Sequence, residues 1–265
     1  MDLNAVYESL RALKLDGMAD VFSELAAKKG ARSVDPVEWI ELMAERESEA
    51  RSQRRLESRL RIAKMRDEDA SMENIDFKTV RHLDQLQFQE LAKGDWIASS
   101  GSVLITGPCG VGKSYLACVL GHEACRQDKM VLYFRIPLLF AELDAAREAG
   151  SFERLFKKIV RSDVLILDDW GPDLMTASQR RDLMEIVDAR YGRKATIVTS
   201  QLPVDKWYDV IADPTFADAI LDRLVHQSHR IALDGPSMRK VNGTVSPQKP
   251  SFSRILQNQR SAAGG

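Results

Sequence analysis

An α/β fold with a central parallel sheet, preceded by a small all-α N-terminal region, is what the amino-acid sequence predicts. Three observations carry that reading. Four short apolar runs, at 102–107, 130–136, 163–171 and 195–203, alternate with stretches of helical apolar spacing, the pattern that builds parallel sheets. The first run ends in "GPCGVGKS" (107–114), a glycine loop set between a strand and a helix. The first 68 residues read instead as helical.

The chain of 265 residues has room for one ordinary α/β domain and a smaller appendage. With 44% hydrophobic and 29% charged residues its composition is that of a folded globular protein and excludes general disorder. No apolar run approaches the roughly 18 to 20 residues that span a bilayer. The N-terminus "MDLNAVYESLRALKLDG" lacks the basic start and apolar block of a secretory signal. Three cysteines, an odd number, fit a reducing compartment better than a disulfide framework. A cytoplasmic protein with no membrane partner is expected.

Taken in chain order, Val6, Leu10, Leu13, Val21 and Leu25 give a 3-to-4 spacing interrupted at Gly17. "DPVE" (35–38) starts the next helix, with Asp35 as cap, Pro36 at the first position and Glu38 at the third. No Gly or Pro follows until Gly94, so a helix over 36–66 is predicted, about 46 Å long at 1.5 Å per residue. Its second half, "RSQRRLESRLRIAKMR", carries seven Lys or Arg and one acid, Glu57. Residues 1–50 are acidic, and residues 235–265 hold five Lys or Arg and no acid. A net charge of −1 therefore conceals a segregation that points to a polyanionic partner.

A solvated helix face usually mixes signs, whereas Arg51, Arg54, Arg55, Arg59, Arg61 and Lys64 stand almost unopposed in the sequence. They are assigned to phosphate contacts with double-stranded DNA, a salt-sensitive mode of binding. Sparse aromatic residues argue against a stacking platform for single strands. No helix-turn-helix pattern predicts base readout.

The loop fills the pattern G-x-x-x-x-G-K-[ST] with Gly107, Gly112, Lys113 and Ser114. Glycines let backbone N–H groups turn inward around phosphate oxygens, and the following helix adds its positive N-terminal end. Gly107, Pro108, Cys109, Gly110, Val111, Gly112, Lys113, Ser114 and Tyr115 are thus expected to bind a nucleotide, ATP. Lys113 would reach the β- and γ-phosphates, and the Ser114 hydroxyl would ligate Mg²⁺. On the helix over 113–127, Cys118, His122 and Cys125 share a face, but they lack a fourth ligand and zinc-like spacing and are read as core. Cys109 occupies a free position of the motif.

"MVLYFRI" (130–136) is a further strand, and "LLFAELDAAREAGSFERLFKKIVR" (138–161) reads equally as a helix pair packed on the sheet or as a second DNA-contacting element offering Arg147, Arg154, Lys157, Lys158 and Arg161. "DVLILDDWG" (163–171) delivers two acids to the C-terminal edge of a buried strand, where open α/β sheets bind ligands. Asp168 would hold Mg²⁺ directly or through water, and Asp169 would polarise the attacking water. "ATIVTSQLP" (195–203) ends in polar groups placed to meet the γ-phosphate or that water. The tail from 241 is polar, with scattered Pro and Gly, and is expected to be flexible.

"GPCGVGKSYLA", "VLILDDWG", "IVTSQLPVDKW" and "AILDRLVHQSHRIAL…GPSMRK", in that order over about residues 95–240, resemble the AAA+ ATPases and their branch of bacterial initiators and helicase loaders. "LRALKLDGMADVF" and the basic helix are similar to the IstB-like transposition helpers. The resemblance implies a three-layer P-loop AAA+ fold whose additional strand nucleoside-monophosphate kinases lack. It implies Gln201 in the sensor position, where Asn is frequent, and Asp169 where most relatives have Glu. Arg223 matches the arginine finger that one subunit inserts into its neighbour's site, and Arg239 matches a basic position of unassigned role. The implied division is an N-terminal helical DNA- or partner-binding domain over 1–68, an ATPase domain over 69–240 and a flexible basic tail over 241–265. The implied partners are double-stranded DNA, a cognate transposase and other copies of the chain in ATP-dependent homo-oligomers. A DnaC-type helicase loader on single-stranded DNA is the alternative. A small-metabolite kinase would leave the basic helix without a purpose.

Overall fold

Period-two alternation sorts the strand residues onto two faces, and that alternation builds the molecule. A computed structural model of the chain describes residues 3–27 and 35–238. The expectations for the 241–265 tail and for Arg239 lie outside the described residues. The apolar runs form β1 (Ser102–Thr106), β2 (Val131–Arg135), β3 (Val164–Trp170) and β4 (Ala195–Ser200). A fifth strand, β5 (Ser228–Ala232), has only Ile231 buried and gave no apolar signal in the sequence. All pair in parallel in the order β2-β3-β4-β1-β5.

Val103, Ile105, Val131, Tyr133, Val164, Ile166 and Ile197 face one core, while Leu104, Leu132, Leu165, Leu167 and Val198 face the other. The first core is closed by α6 (Lys113–Arg126), α4 (Gln85–Ala92) and α5 (Asp95–Ala98). The second is closed by α7 (Ile136–Glu148), α8 (Phe152–Arg161), α9 (Ala177–Arg190), α10 (Trp207–Ile211) and α11 (Pro214–Val225). Helices on both faces of a parallel sheet make the three layers predicted, with β4 inserted between β1 and β3.

The N-terminal region is helical: α1 (Leu3–Ala12), α2 (Asp16–Ala27) and α3 (Pro36–Ala63). Asp35 caps α3 by accepting from the Val37 N–H, with Pro36 at the first position. The helix ends at Ala63, three residues short of the predicted 66, because Lys64 turns left-handed at φ 52°. Leu13, placed in the apolar stripe by its spacing, is 69% exposed beyond the end of α1. Gly17 is where α2 meets α3, since a Cβ there would lie 2.6 Å from the Arg46 carbonyl oxygen. Leu56 and Leu60 seat the second half of α3 on the first core.

Space alters the reading of the basic stretch as almost unopposed. Arg51 pairs with Glu47 at 2.8 Å, Arg54 with Asp16 at 2.8 Å and Arg59 with Asp128 at 2.8 Å. Arg55, Arg61 and Lys64 are exposed and have no carboxylate partner within the chain among the described residues. Two of the opposing acids escaped sequence inspection because Asp16 and Asp128 lie 38 and 69 residues from their arginines, while Glu47, four residues from Arg51, falls just outside the basic stretch.

One buried cation ties the second layer together. The Arg190 guanidinium, 2% exposed, donates to the carbonyls of Ile159 (2.7 Å), Ser162 (2.9 Å) and Ala195 and to the Ser162 hydroxyl (3.0 Å). It thereby caps the C-terminal end of α8, where cations are favoured, and anchors the start of β4.

Candidate nucleotide site

The loop between β1 and α6 is shaped by glycines in conformations other residues avoid. Gly107, Gly110 and Gly112 have φ of 147°, 84° and 102°. No side chain of the N-cap bonds to the first turn of α6, which suits its N–H groups to an anionic ligand. The Lys113 ammonium donates to the Gly107 and Pro108 carbonyls at 2.7 and 2.8 Å, which holds it along the loop.

Asp168, itself fully buried, lies at the centre of a polar cluster. Its Oδ1 accepts from the Ser114 hydroxyl at 2.8 Å and from the Thr199 hydroxyl, and its Oδ2 accepts from the Tyr133 hydroxyl at 2.5 Å. Burial, reinforced by the Asp168 charge, pushes the Tyr133 hydroxyl well above its ordinary range, so it stays a donor. Asp169 stands at φ 60° beside a register shift between β3 and β4. Its N–H donates to the Thr199 hydroxyl at 3.2 Å, and its carboxylate pairs with Arg135 at 2.8 Å. That hydrogen bond, with the Asp169 charge, raises the Arg135 guanidinium above its ordinary value.

Lys113, Ser114, Arg135 and Asp169 border one cleft of about 850 Å³, in the size range of small-molecule sites, and the buried Asp168 meets it through the Ser114 hydroxyl. Cys109, Gly110, Gly112, Lys113, Ser114, Tyr115, Asp169 and Gln201, all expected at the site, line it. Ser200, beside the sensor position, turns inward to donate to the Trp170 carbonyl at 2.8 Å. Arg223 lies elsewhere, bound to Asp188 of α9 at 2.8 Å and to the Ala219 carbonyl at 2.8 Å. The arginines of α3 are not in the cleft, but Arg66 and Asp67, just beyond that helix, line it. Thr199, Tyr133, Arg135 and the 74–81 wall with Met238 were not foreseen, because each meets the site through tertiary contact. Cys118, His122 and Cys125 are buried in α6, the thiols pushed up by burial to about 12 and about 11, and His122 Nε2 lies 3.2 Å from the Asp67 carbonyl.

The oxygen donors and the glycine cradle fit a nucleoside polyphosphate. A family model described as IstB-like ATP binding protein matches residues 8–246. The chain belongs to this family. An insertion-sequence ATP-binding protein of Sinorhizobium fredii (strain NBRC 101917 / NGR234), y4pL, is 48% identical over 233 residues, covering 88% of this chain and 95% of the relative. The IS1162 ATP-binding protein of Pseudomonas fluorescens is 42% identical over 194 residues, 73% of this chain and 84% of its own. Among solved structures, DnaI superposes with a TM-score of 0.55 at 21% identity, over 64% of this chain and 91% of that one. AMPPCP-bound DnaA from Aquifex aeolicus gives 0.55 at 17% identity, over 72% and 60% of the two chains. This IstB-like chain is thus an ATP-binding protein with the AAA+ fold. Among its described residues no helix is long and apolar enough to cross a membrane.

Proposed function

We propose that this IstB-like protein hydrolyses ATP with Mg²⁺, assembles into ATP-dependent homo-oligomers on double-stranded DNA, and serves a cognate transposase by remodelling target DNA and recruiting that enzyme. The observation that carries the hydrolytic part is the convergence of Ser114, Asp168 and Thr199 beside Lys113 and Asp169. Ser114 and Asp168 supply the hard oxygen donors that suit Mg²⁺, which when bound neutralises developing phosphate charge. Lys113 adds charge at the phosphates. Asp169, with Gln201 at the end of the neighbouring strand, orients and polarises the attacking water. Arg223, remote from its own cleft, acts in a neighbour's, where such a residue is worth about 10³- to 10⁵-fold in rate.

The DNA part draws support from two exposed basic rows. Arg55, Arg61 and Lys64 project from the end of α3, while Arg51, Arg54 and Arg59 contribute charge partly offset by their carboxylate partners. On α8, Arg154, Lys157, Lys158 and Arg161 are all exposed, opposite the half-buried Phe152, Leu155 and Phe156 and the buried Ile159. Residues 1–68 would serve DNA or partner binding and residues 69–240 ATP, with the α8 row as a second DNA contact. The kinship with insertion-sequence ATP-binding proteins supports the transposase as partner.

The test is binding to duplex and to single-stranded DNA with ATP and with ADP, followed by particle size on the DNA. Large assemblies on duplex with ATP alone are expected. Preference for single strands would replace the proposal by a helicase-loader role. Failure to bind either would reopen a small-substrate kinase.

A further inference from the structure

Arg81 is a buried cation with no carboxylate hydrogen-bonded to it among the described residues. It lies in the connection between α3 and α4 and is 3% exposed. Its Nη1 donates to the Val111 carbonyl at 2.9 Å and its Nη2 to the Asp76 carbonyl at 3.0 Å. Its Nε is buried without a hydrogen-bond partner. The nearby Asp76 carboxylate accepts from Lys78 N, Thr79 N and the Thr79 hydroxyl, and acts on Arg81 only through its charge. A buried cation is costly unless an anion pairs with it. Arg81 lines the nucleotide cleft.

Its contact with the loop has a geometric consequence. In a trans peptide the C=O and the following N–H point in opposite directions. Holding the Val111 carbonyl toward Arg81 thus directs the Gly112 N–H away from it, as a loop that offers N–H groups to phosphate requires. The packing is close enough that a Cβ at Gly112 would lie 2.6 Å from Arg81 Nη1. Arg81 is itself fixed from behind, its carbonyl accepting from Asp234 N at 3.1 Å.

We infer that Arg81 is a positioning residue of the nucleotide site, holding the Val111–Gly112 peptide in its phosphate-binding orientation and lending the cleft a cation for a nucleoside polyphosphate to neutralise. This rests on the reading of the cleft as the ATP site. The charge acts on ATP and ADP alike, and the two-carbonyl fork is a property of guanidinium that an ammonium lacks.

Calorimetric titration of the full chain with ADP and with a non-hydrolysable ATP analogue, alongside melting without nucleotide, tests it. Arg81→Met is expected to weaken both ligands about tenfold or more while the nucleotide-free Tm changes little, since removal of an unpaired buried charge offsets the loss of two carbonyl hydrogen bonds. Arg81→Lys is expected to fold and to bind both several-fold more weakly than wild type. Wild-type affinity in either variant overturns the inference, as does a fall in nucleotide-free Tm with affinity unchanged. Should Arg81→Met not fold, the Lys variant alone decides. Absence of binding in the wild-type protein would instead overturn the ATP site itself, a result the variants cannot mimic.

Discussion

Adjacent residues in a strand point to opposite faces of a sheet, yet Asp168 and Asp169 both serve one cleft. The register shift between β3 and β4 and the left-handed φ of Asp169 reconcile the two, re-aiming the second carboxylate as bulges do beside functional sites. Asp tolerates this conformation better than most side chains. Asp169→Asn keeps the shape and the backbone preference but not the basicity. It is expected to leave ATP affinity within a few-fold of wild type while lowering steady-state phosphate release by about 10²-fold or more. Loss of binding in parallel would show that the side chain holds the nucleotide instead. Both acids were legible in the sequence as the end of an apolar run. Their supports were not, since Tyr133, Arg135 and Thr199 belong to neighbouring strands and meet the acids only once register is set.

At the scale of elements, two buried charges do what apolar packing alone does not. Glu47, 5% exposed, accepts from the Gly17 and Met18 N–H groups at 2.8 and 3.4 Å and so caps α2 from α3. Burial pushes its carboxyl up, but the Arg51 hydrogen bond and the two backbone donors outweigh burial and hold it below its ordinary value of 4.5. Its folded pKa is lower than its unfolded one, so its stabilisation is complete above the ordinary glutamate range and is lost as pH falls through the lower folded value. Denaturant unfolding followed by the helical signal should show a smaller acid-dependent loss in Glu47→Gln than in wild type. Arg190→Met strips partners from carbonyls at the end of α8 and the start of β4 and is expected to cost about 3 kcal/mol, a Tm lowered by roughly 6 to 12 °C. A shift under 2 °C, on the order of half a kcal/mol, would mean that water replaces the guanidinium. The helices themselves were largely readable, because caps such as Asp35 and apolar spacing are local signals. The balance of charge on α3 was only partly so: Glu47, on α3 itself, pairs with Arg51 at helical spacing, but the other counter-charges sit on α2 and on the turn after α6, positions fixed only by packing.

The whole molecule makes a stronger demand, because the proposed site is incomplete in one chain. Arg223 is held on α11 by Asp188, beside the Tyr191 ring, and does not line the cleft that contains Lys113. If it acts across a subunit boundary, hydrolysis depends on two chains, one giving the phosphate loop and the next giving the arginine. Lys113→Ala removes the first contribution and Arg223→Ala the second, so each variant alone should lack activity for a different reason. Mixed, they form interfaces in which the Arg223→Ala chain offers an intact loop and the Lys113→Ala chain an intact arginine. Phosphate release by the mixture is expected to exceed that of either variant at the same total concentration, and to rise with concentration more steeply than first order. The resting pair with Asp188 adds a condition, since the guanidinium must leave that carboxylate to reach a neighbour. Asp188→Asn weakens this internal competitor and should therefore raise activity at protein concentrations where assembly limits the rate. A mixture no more active than its components would return Arg223 to a purely internal role, as the partner of Asp188 that joins α9 to α11.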